Sequence, residues 1–408
     1  MSELRLLLVQ GDRAAQAEAL ERGWAEGHTL ALALPQEQAL LAAALPAQAE
    51  ASWGAAVVLG SGGSSGGRHW CLQPLHHLHV AVSAAALWLR QQGMDPASVQ
   101  VFNPLPLHHV SGLMPLLRAR AWGAELRWLD PAWMRNPEQL LTQACPEPAG
   151  HALLSLVPTQ LQRLLEQSAG RRWLERFSVI WVGGAALPAD LARRCRQLAL
   201  PLSPCYGSTE TGAMVAALAP SQFLAGVEGC GQPLAHARLR LTADGALQIQ
   251  AGSLALGVCC AGTLQPLPLK QGWWSSGDRA ALSSAGLQLQ GRLDGAINSG
   301  GETVFPEQVE QRLLALFQRL ELPVEELLLL PEPDPLWGER LVALVRLPMG
   351  LDAAKVLEAL VRQALKLPVS QRPWRWLLCQ HLHRTALGKW ERARWCHWLA
   401  SQPSQPHR

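Results

Sequence analysis

Between residues 55 and 199, short apolar runs alternate with helical patterns, and few architectures accommodate that rhythm. The runs are AAVVLG (55–60), VQVFNPL (99–105), HALLSLV (151–157) and SVIWVGG (178–184), all of strand length. Between them lie amphipathic stretches such as PTQLQRLLEQ (158–167) and PADLARRCRQLA (188–199). Strands and helices in strict alternation predict a parallel sheet covered by helices. Residues 1–50 are Ala/Leu/Gln/Glu-rich, read as helical and carry no motif. From about 226 to 290 the pattern changes to short strands with Gly-rich turns, as in ADGALQIQAGSLALG, which predicts a smaller β subdomain. After Asp294 a compact α+β unit is expected, with a helix near 307–320, strands near 325–330 and 340–347, and a helix at 352–366. It closes in a Pro/Gln/Ser tail. The fold class is therefore α/β. A large N-terminal domain with a β subdomain would span 1–292, and a small C-terminal α+β domain 293–408.

A chain of 408 residues, 49% of them hydrophobic, can bury the cores of two or three domains. Its net charge of +3 comes from 35 basic and 32 acidic residues without a long run of either sign, which argues against a nucleic-acid partner. Nine scattered cysteines without a CxxC pair suit reduced thiols in a cytoplasmic enzyme better than disulfides or zinc. The N-terminus turns polar too soon for a signal peptide, and no apolar stretch reaches the roughly 18 residues that span a bilayer. His76, His77 and His79 cluster without the spacing of a metal site and are expected to pack or hydrogen bond. The sequence carries no signal for oligomeric state.

Several segments carry chemistry. In SGGSSGGRH (61–69), after an apolar strand and before a helical stretch, glycines expose backbone N–H groups and Ser64 and Ser65 add hydroxyl donors. That is an anion cradle for a polyphosphate; the alternative is a flexible linker. In YGSTETG (206–212), the ring of Tyr206, the chain's single tyrosine, can stack on a base. The Thr209 hydroxyl can donate to a phosphate, and Glu210 is a hard oxygen ligand suited to Mg²⁺. GGAALP (183–188) follows the strand SVIWV, at the edge where parallel sheets place ligands, and its small residues would let a flat ring lie against the backbone. A tight turn is the alternative there. In GRLDGAINSGGETVFPEQVE (291–310) a strand ends, Asp294 opens a turn, adjacent glycines follow and Pro306 starts an amphipathic helix; the stretch reads as a hinge.

That last string resembles the domain junction GRxDDxIxxGGExVxPxEIE of the adenylate-forming superfamily of acyl- and aryl-CoA ligases, adenylation domains and luciferases. Further segments resemble the superfamily's motifs in the same order: TSGTTGxPK, PLxHxxGL (here PLHHVSGL, 106–113), YGxTE, GWxxTGD (GWWSSGD, 272–278) and PRTxxGKxxR (RTALGKWER, 384–392). The resemblance implies a small mobile lid turning about Asp294, with ATP, Mg²⁺ and coenzyme A as cofactor and co-substrates and a small-molecule carboxylic acid as substrate. It assigns Ser61, Gly62, Gly63, Ser64, Ser65, Gly66 and Arg68 to the phosphates, with Arg68 or His69 standing where the family has Pro-Lys. Gly183, Gly184 and Ala185 would border adenine and acyl group, together with Tyr206 and Gly207. Asp278 and Arg292 would hold the ribose, Thr209 and Glu210 the phosphates and metal, and His109 the acyl pocket and thiol tunnel. Gly300 and Gly301 would face the thiol, and Lys389 would be the adenylation lysine.

The phosphate loop comes far earlier here than in typical members. Such compact forms resemble the o-succinylbenzoate–CoA ligase branch of menaquinone and phylloquinone synthesis. Another aryl- or acyl-CoA ligase, or a degenerate nucleotide-binding homologue, is the alternative. A distal carboxylate on the substrate needs a cationic or hydrogen-bonding partner, and His108, His109, Arg118 and Arg120 remain open for that role.

Overall fold

A computed structural model of the chain describes residues 3–47, 53–62, 68–147, 150–293, 295–384 and 390–402. Among these residues the central sheet has seven strands: Gln232–Pro233, Ala213–Ala217, Leu202–Ser208, Val179–Val182, His151–Leu156, Val99–Asn103 and Glu125–Trp128 in spatial order. The last five run parallel. Ile180 and Val182 pack with Leu161, Leu164 and Leu191 from the helices Pro158–Glu166 and Ala189–Gln197. On the other face Val179 and Trp181 pack with Trp88, Leu89 and Ala119 from the helices Leu75–Gln91 and Val110–Trp122. Burial on both faces explains why these strands read as continuous apolar runs. Helix boundaries follow local chemistry. Pro158 occupies a first-turn position where its missing N–H costs nothing, and the Gln160 side chain accepts from the Val157 amide at 3.2 Å. Gly123 ends its helix at φ +68°.

The N-terminal fifty residues differ from the helical expectation. Leu4–Leu8 and Thr29–Ala33 are strands, parallel to each other and to Ala56–Gly62, with the helix Arg13–Ala25 crossing between the first two. Every residue of Thr29–Ala33 is buried. TLALA is made mostly of good helix formers, so its propensity points the wrong way and tertiary burial decides.

A second correction concerns the Gly/Ser-rich loop. The segment after it is a strand, Arg68–Pro74, antiparallel to Ala56–Gly62 in the register Ser61↔His69 and Gly62↔Arg68. Ala56–Gly62 and Arg68–Pro74 therefore form an antiparallel pair, and the helix begins only at Leu75. Gly63, Ser64, Ser65 and Gly66 lie outside the described residues.

The expected β subdomain is the antiparallel sheet of Ala237–Leu241, Ala246–Ala251, Trp273–Ser283, Leu269–Lys270 and Gly286–Arg292. One hairpin from that region, Gly257–Cys260 with Thr263–Pro266, instead extends the N-terminal sheet through Arg68–Pro74. Beyond residue 296 a fourth sheet of Ile297–Ser299, Glu302–Val304, Glu326–Asp334, Gly338–Arg346 and Arg375–Leu378 has its own apolar core. The helices Pro306–Arg319 and Ala353–Ala364 pack on it around Leu313, Phe317, Leu329, Ala343 and Leu360. The hairpin 297–304, the strand Arg375–Leu378 and the helix Arg392–Ala400 were not expected from sequence. No described helix is long and apolar enough to cross a membrane.

Candidate active site

The strand Leu202–Ser208 ends in the turn that carries Thr209 and Glu210. Gly207 is obligatory there. A Cβ at that position would lie 1.9 Å from the Ala213 carbonyl oxygen, because the strand Ala213–Ala217 folds straight back against it. Thr209 is buried and Glu210 half-buried. The Ser61 hydroxyl donates to the Glu210 carboxylate at 3.2 Å, so the root of the Gly/Ser-rich loop meets the YGSTE turn. A half-buried carboxylate with a hydroxyl beside it offers hard oxygen donors of the kind Mg²⁺ takes.

Asp278 and Arg292 are fourteen apart in sequence and face each other across the hairpin of Trp273–Ser283 with Gly286–Arg292. Arg292 Nη1 donates to Asp278 Oδ1 at 3.4 Å and to the Ser276 carbonyl at 2.9 Å. Gly277, at φ +77°, leaves room for it, since a Cβ would sit 2.8 Å from Arg292 Nη2. The Tyr206 hydroxyl donates to Asp278 Oδ2. Burial, then Asp278 itself, pushes the Tyr206 phenol well above its ordinary value, so it stays a donor. An ionised carboxylate offers about four lone-pair sites, and two are left on Asp278 for incoming hydroxyls. Tyr206→Phe removes one hydrogen bond to a charged group, worth about 1.5–3 kcal/mol. It is expected to raise the KM for ATP roughly ten- to a hundredfold with kcat little changed, as read from steady-state kinetics.

The strand Val179–Val182 delivers Gly183 and Gly184 to the same edge of the sheet. A Cβ on Gly183 would come within 2.9 Å of Cys205 Sγ, and Gly184 stands at φ +81°. Ala185 is exposed. Beneath these residues lies Arg118, 4% exposed, its guanidinium 4.8 Å over the Trp181 ring. Burial pulls Arg118 down to about 10, and Cys205 is close enough to oppose that shift. No carboxylate among the described residues pairs with Arg118, and its Nε is buried without a hydrogen-bond partner. Arg120, by contrast, is exposed and bonded to Glu21 at 2.6 Å.

His109 stands at the start of the helix Val110–Trp122, half-buried, its ring 4.2 Å from that of His108. Asn103, which carries no motif, and Gly112 of the PLHHVSGL segment shape this loop. The buried Asn103 side chain donates to the Gly112 carbonyl at 2.8 Å and accepts from the Leu105 amide at 3.0 Å. Gly112 leaves no space for a Cβ, which would fall 2.1 Å from the Pro106 carbonyl oxygen. His108 lines a cavity of about 150 Å³ with Val9, Arg13 and Gln16 of the N-terminal unit. His77 Nδ1 bonds the Leu254 carbonyl at 2.7 Å, an ordinary structural use, and no group of potential metal ligands stands out among the described residues.

Gly300 and Gly301, at φ +62° and +85°, form the two-residue turn of the hairpin 297–304, a conformation that itself demands glycine. The Trp337 ring would lie 2.5 Å from a Cβ on Gly300. Asp294 and Lys389 lie outside the described residues, as does the segment 385–389 as a whole. Its flanks are anchored: Arg384 bridges to Trp390 with its guanidinium 3.5 Å over the ring, and the buried Glu310 carboxylate binds Arg392 Nη2 at 2.8 and 2.9 Å.

Comparison with known proteins is consistent with this geometry. The family described as AMP-binding enzyme matches residues 10–257. The 2-succinylbenzoate–CoA ligase of Enterococcus faecalis is 30% identical over 295 residues, covering 70% of this chain and 58% of that protein. The enzyme of the same name from Escherichia coli K12 is 32% identical over 275 residues, covering 67% and 54%. The chain thus spans little more than half the length of these relatives. Bacillus subtilis o-succinylbenzoate CoA synthetase, solved with the acyl-adenylate OSB-AMP, superposes with a TM-score of 0.77 at 20% identity, covering 99% of this chain and 89% of that one. Its complex with ATP and magnesium gives a TM-score of 0.76 at 20% identity, covering 95% and 88%. At such identities these two structures establish the shared fold: a large α/β domain with a β subdomain, followed by a small α+β domain.

Proposed function

The chain belongs to the AMP-binding enzyme family, and on that premise we propose that it is an AMP-forming carboxylate–CoA ligase whose acid is 2-succinylbenzoate. The observation that carries the reaction class is the meeting, at one edge of the central sheet, of Asp278–Tyr206–Arg292 with Glu210–Ser61. The first group offers a carboxylate with free lone pairs for vicinal hydroxyls, the second an oxygen-donor site for a metal-bound polyphosphate. Mg²⁺ bound there would neutralise phosphate charge as pyrophosphate departs.

In the first half-reaction a carboxylate oxygen of the acid attacks the α-phosphorus of ATP. The bond from that phosphorus to the bridging oxygen breaks, giving acyl-AMP and pyrophosphate. Lys389 bridges the attacking carboxylate and the α-phosphate as charge builds. The 293–408 domain then turns about Asp294, withdrawing Lys389 and bringing Gly300 and Gly301 to the thiol path. The CoA sulfur attacks the acyl carbon, the bond from that carbon to the AMP oxygen breaks, and thioester and AMP leave. Nine free thiols support a reducing, cytoplasmic setting.

The substrate assignment is supported by the names of the relatives and by Arg118. A buried cation without a carboxylate partner, on the face of the sheet beneath Gly183, suits a substrate that brings a second carboxylate of its own. Product analysis tests the class: one AMP and one pyrophosphate should form per thioester, whereas ADP and phosphate would refute it. Within that assay Glu210→Gln is expected to raise the Mg²⁺ concentration for half-maximal rate severalfold, because an amide is a poorer ligand for a hard cation. An unchanged requirement would remove Glu210 from the metal site.

A further inference from the structure

Three consecutive carbonyl oxygens of the YGSTE turn are each taken by a donor from another part of the chain. Gln73 Nε2 donates to the Thr209 carbonyl at 2.6 Å, the Ala255 amide to that of Glu210 at 2.8 Å, and the Ser253 hydroxyl to that of Thr211 at 2.6 Å. Gln73, Ser253 and Thr211 are all completely buried. In a dry interior a carbonyl that loses its donor has no water to replace it, so each bond holds the backbone in one place. Thr211 adds an internal tie, accepting from the Ser208 amide at 2.8 Å and donating to the Ala213 carbonyl at 2.6 Å. Gly212, at φ +62°, presses the turn onto residue 253, where a Cβ would lie 2.9 Å from the Ser253 carbonyl oxygen. Residues 253–255 are secured in turn by the bond of His77 to the Leu254 carbonyl at 2.7 Å.

Gln73 also belongs to the strand that pairs with the one bearing Ser61, the residue that touches the Glu210 carboxylate. One hairpin therefore holds Glu210 twice, through its carboxylate at Ser61 and through the preceding carbonyl at Gln73. We propose that Gln73 and Ser253 are positioning residues, which hold the backbone of the turn so that Glu210 meets Mg²⁺ bound to the ATP phosphates at fixed geometry. The proposal rests on the AMP-forming reading given above. Mg²⁺ tolerates little departure from octahedral coordination, so drift of the turn should weaken metal use before it harms the fold.

The test uses the full chain with Gln73→Leu and Ser253→Ala, assayed by ATP–pyrophosphate exchange with Mg²⁺, ATP and acid each varied in turn. Each variant should need about tenfold more Mg²⁺ for half-maximal rate and show a raised KM for ATP, while the KM for the acid stays within twofold. Thermal melting is recorded in parallel. If both KM values rise together, or only the melting temperature changes, the residues are scaffold alone and the proposal is overturned. If Gln73→Leu does not fold, Ser253→Ala, which removes one oxygen atom, decides the matter. A wild-type chain that exchanges with no acid at all would overturn the reading of the site, and this inference with it.

Discussion

Lys389→Ala is expected to lower acyl-adenylate formation by about a hundred- to a thousandfold, the loss typical of one preorganised charge donor at a developing anion. Thioester formation from supplied acyl-AMP should stay within a few-fold of wild type. The asymmetry follows from the proposed turn of the small domain, which makes the lysine a participant in the first half-reaction alone. Arg384 on Trp390 joins the flanks of its segment to each other, and they are fixed to that domain by Arg384 on Glu326 at 3.3 Å and by Arg392, which bonds the Leu329 carbonyl at 2.7 Å beside the Glu310 carboxylate. Stopped-flow or quenched assays of the two half-reactions separate the outcomes, and an equal fall in both would point to misfolding and against the assigned role.

Arg118→Leu is expected to cost a factor of about 100–1,000 in kcat/KM for 2-succinylbenzoate and to leave benzoate unaffected or improved. Removing one partner of a buried charge pair costs about 2–5 kcal/mol, since the other charge is left unpaired. Without a distal carboxylate the substrate makes no such pair, and Leu relieves the burial of a lone cation. Arg118→Lys should recover only part of the loss, because an ammonium cannot reproduce the planar fork over Trp181. Arg120→Ala is the control: its exposed pair with Glu21 is worth at most about 1 kcal/mol of stability, and turnover should not change. Equal losses for 2-succinylbenzoate and benzoate would make Arg118 a structural cation.

The parts of the molecule legible in sequence are those where local and tertiary signals agree. The strands Val99–Asn103, His151–Leu156 and Val179–Val182 are apolar because helices cover both faces, and the amphipathic stretches between them have nowhere else to lie. Thr29–Ala33 escaped because Ala and Leu favour helix and only burial overrides them. RHWCLQP escaped because a Gly/Ser run before a helical pattern suggests a strand-to-helix loop, and the pairing with Ala56–Gly62 that makes it a hairpin is a long-range fact. The site shows the same division. Tyr206, Glu210, Asp278 and Arg292 announce themselves through motif spacing, and for the last two the register of a hairpin explains that spacing. Asn103, Gln73 and Ser253 carry no motif, since a side chain that bonds a distant carbonyl leaves no periodic trace. Arg118 could be named from sequence only as one of four candidates, and burial separates it from Arg120.

The central claim is that this chain activates 2-succinylbenzoate, and the most direct measurement is kcat/KM for CoA-dependent pyrophosphate release across a panel of acids at equal concentration. The panel holds 2-succinylbenzoate, benzoate, 4-coumarate and medium-chain fatty acids. 2-Succinylbenzoate should exceed every monocarboxylate, by the roughly hundredfold or more that a buried guanidinium–carboxylate pair supplies. A higher kcat/KM for any monocarboxylate would contradict the substrate assignment while leaving the ligase reaction standing, and no pyrophosphate release with any acid would contradict both.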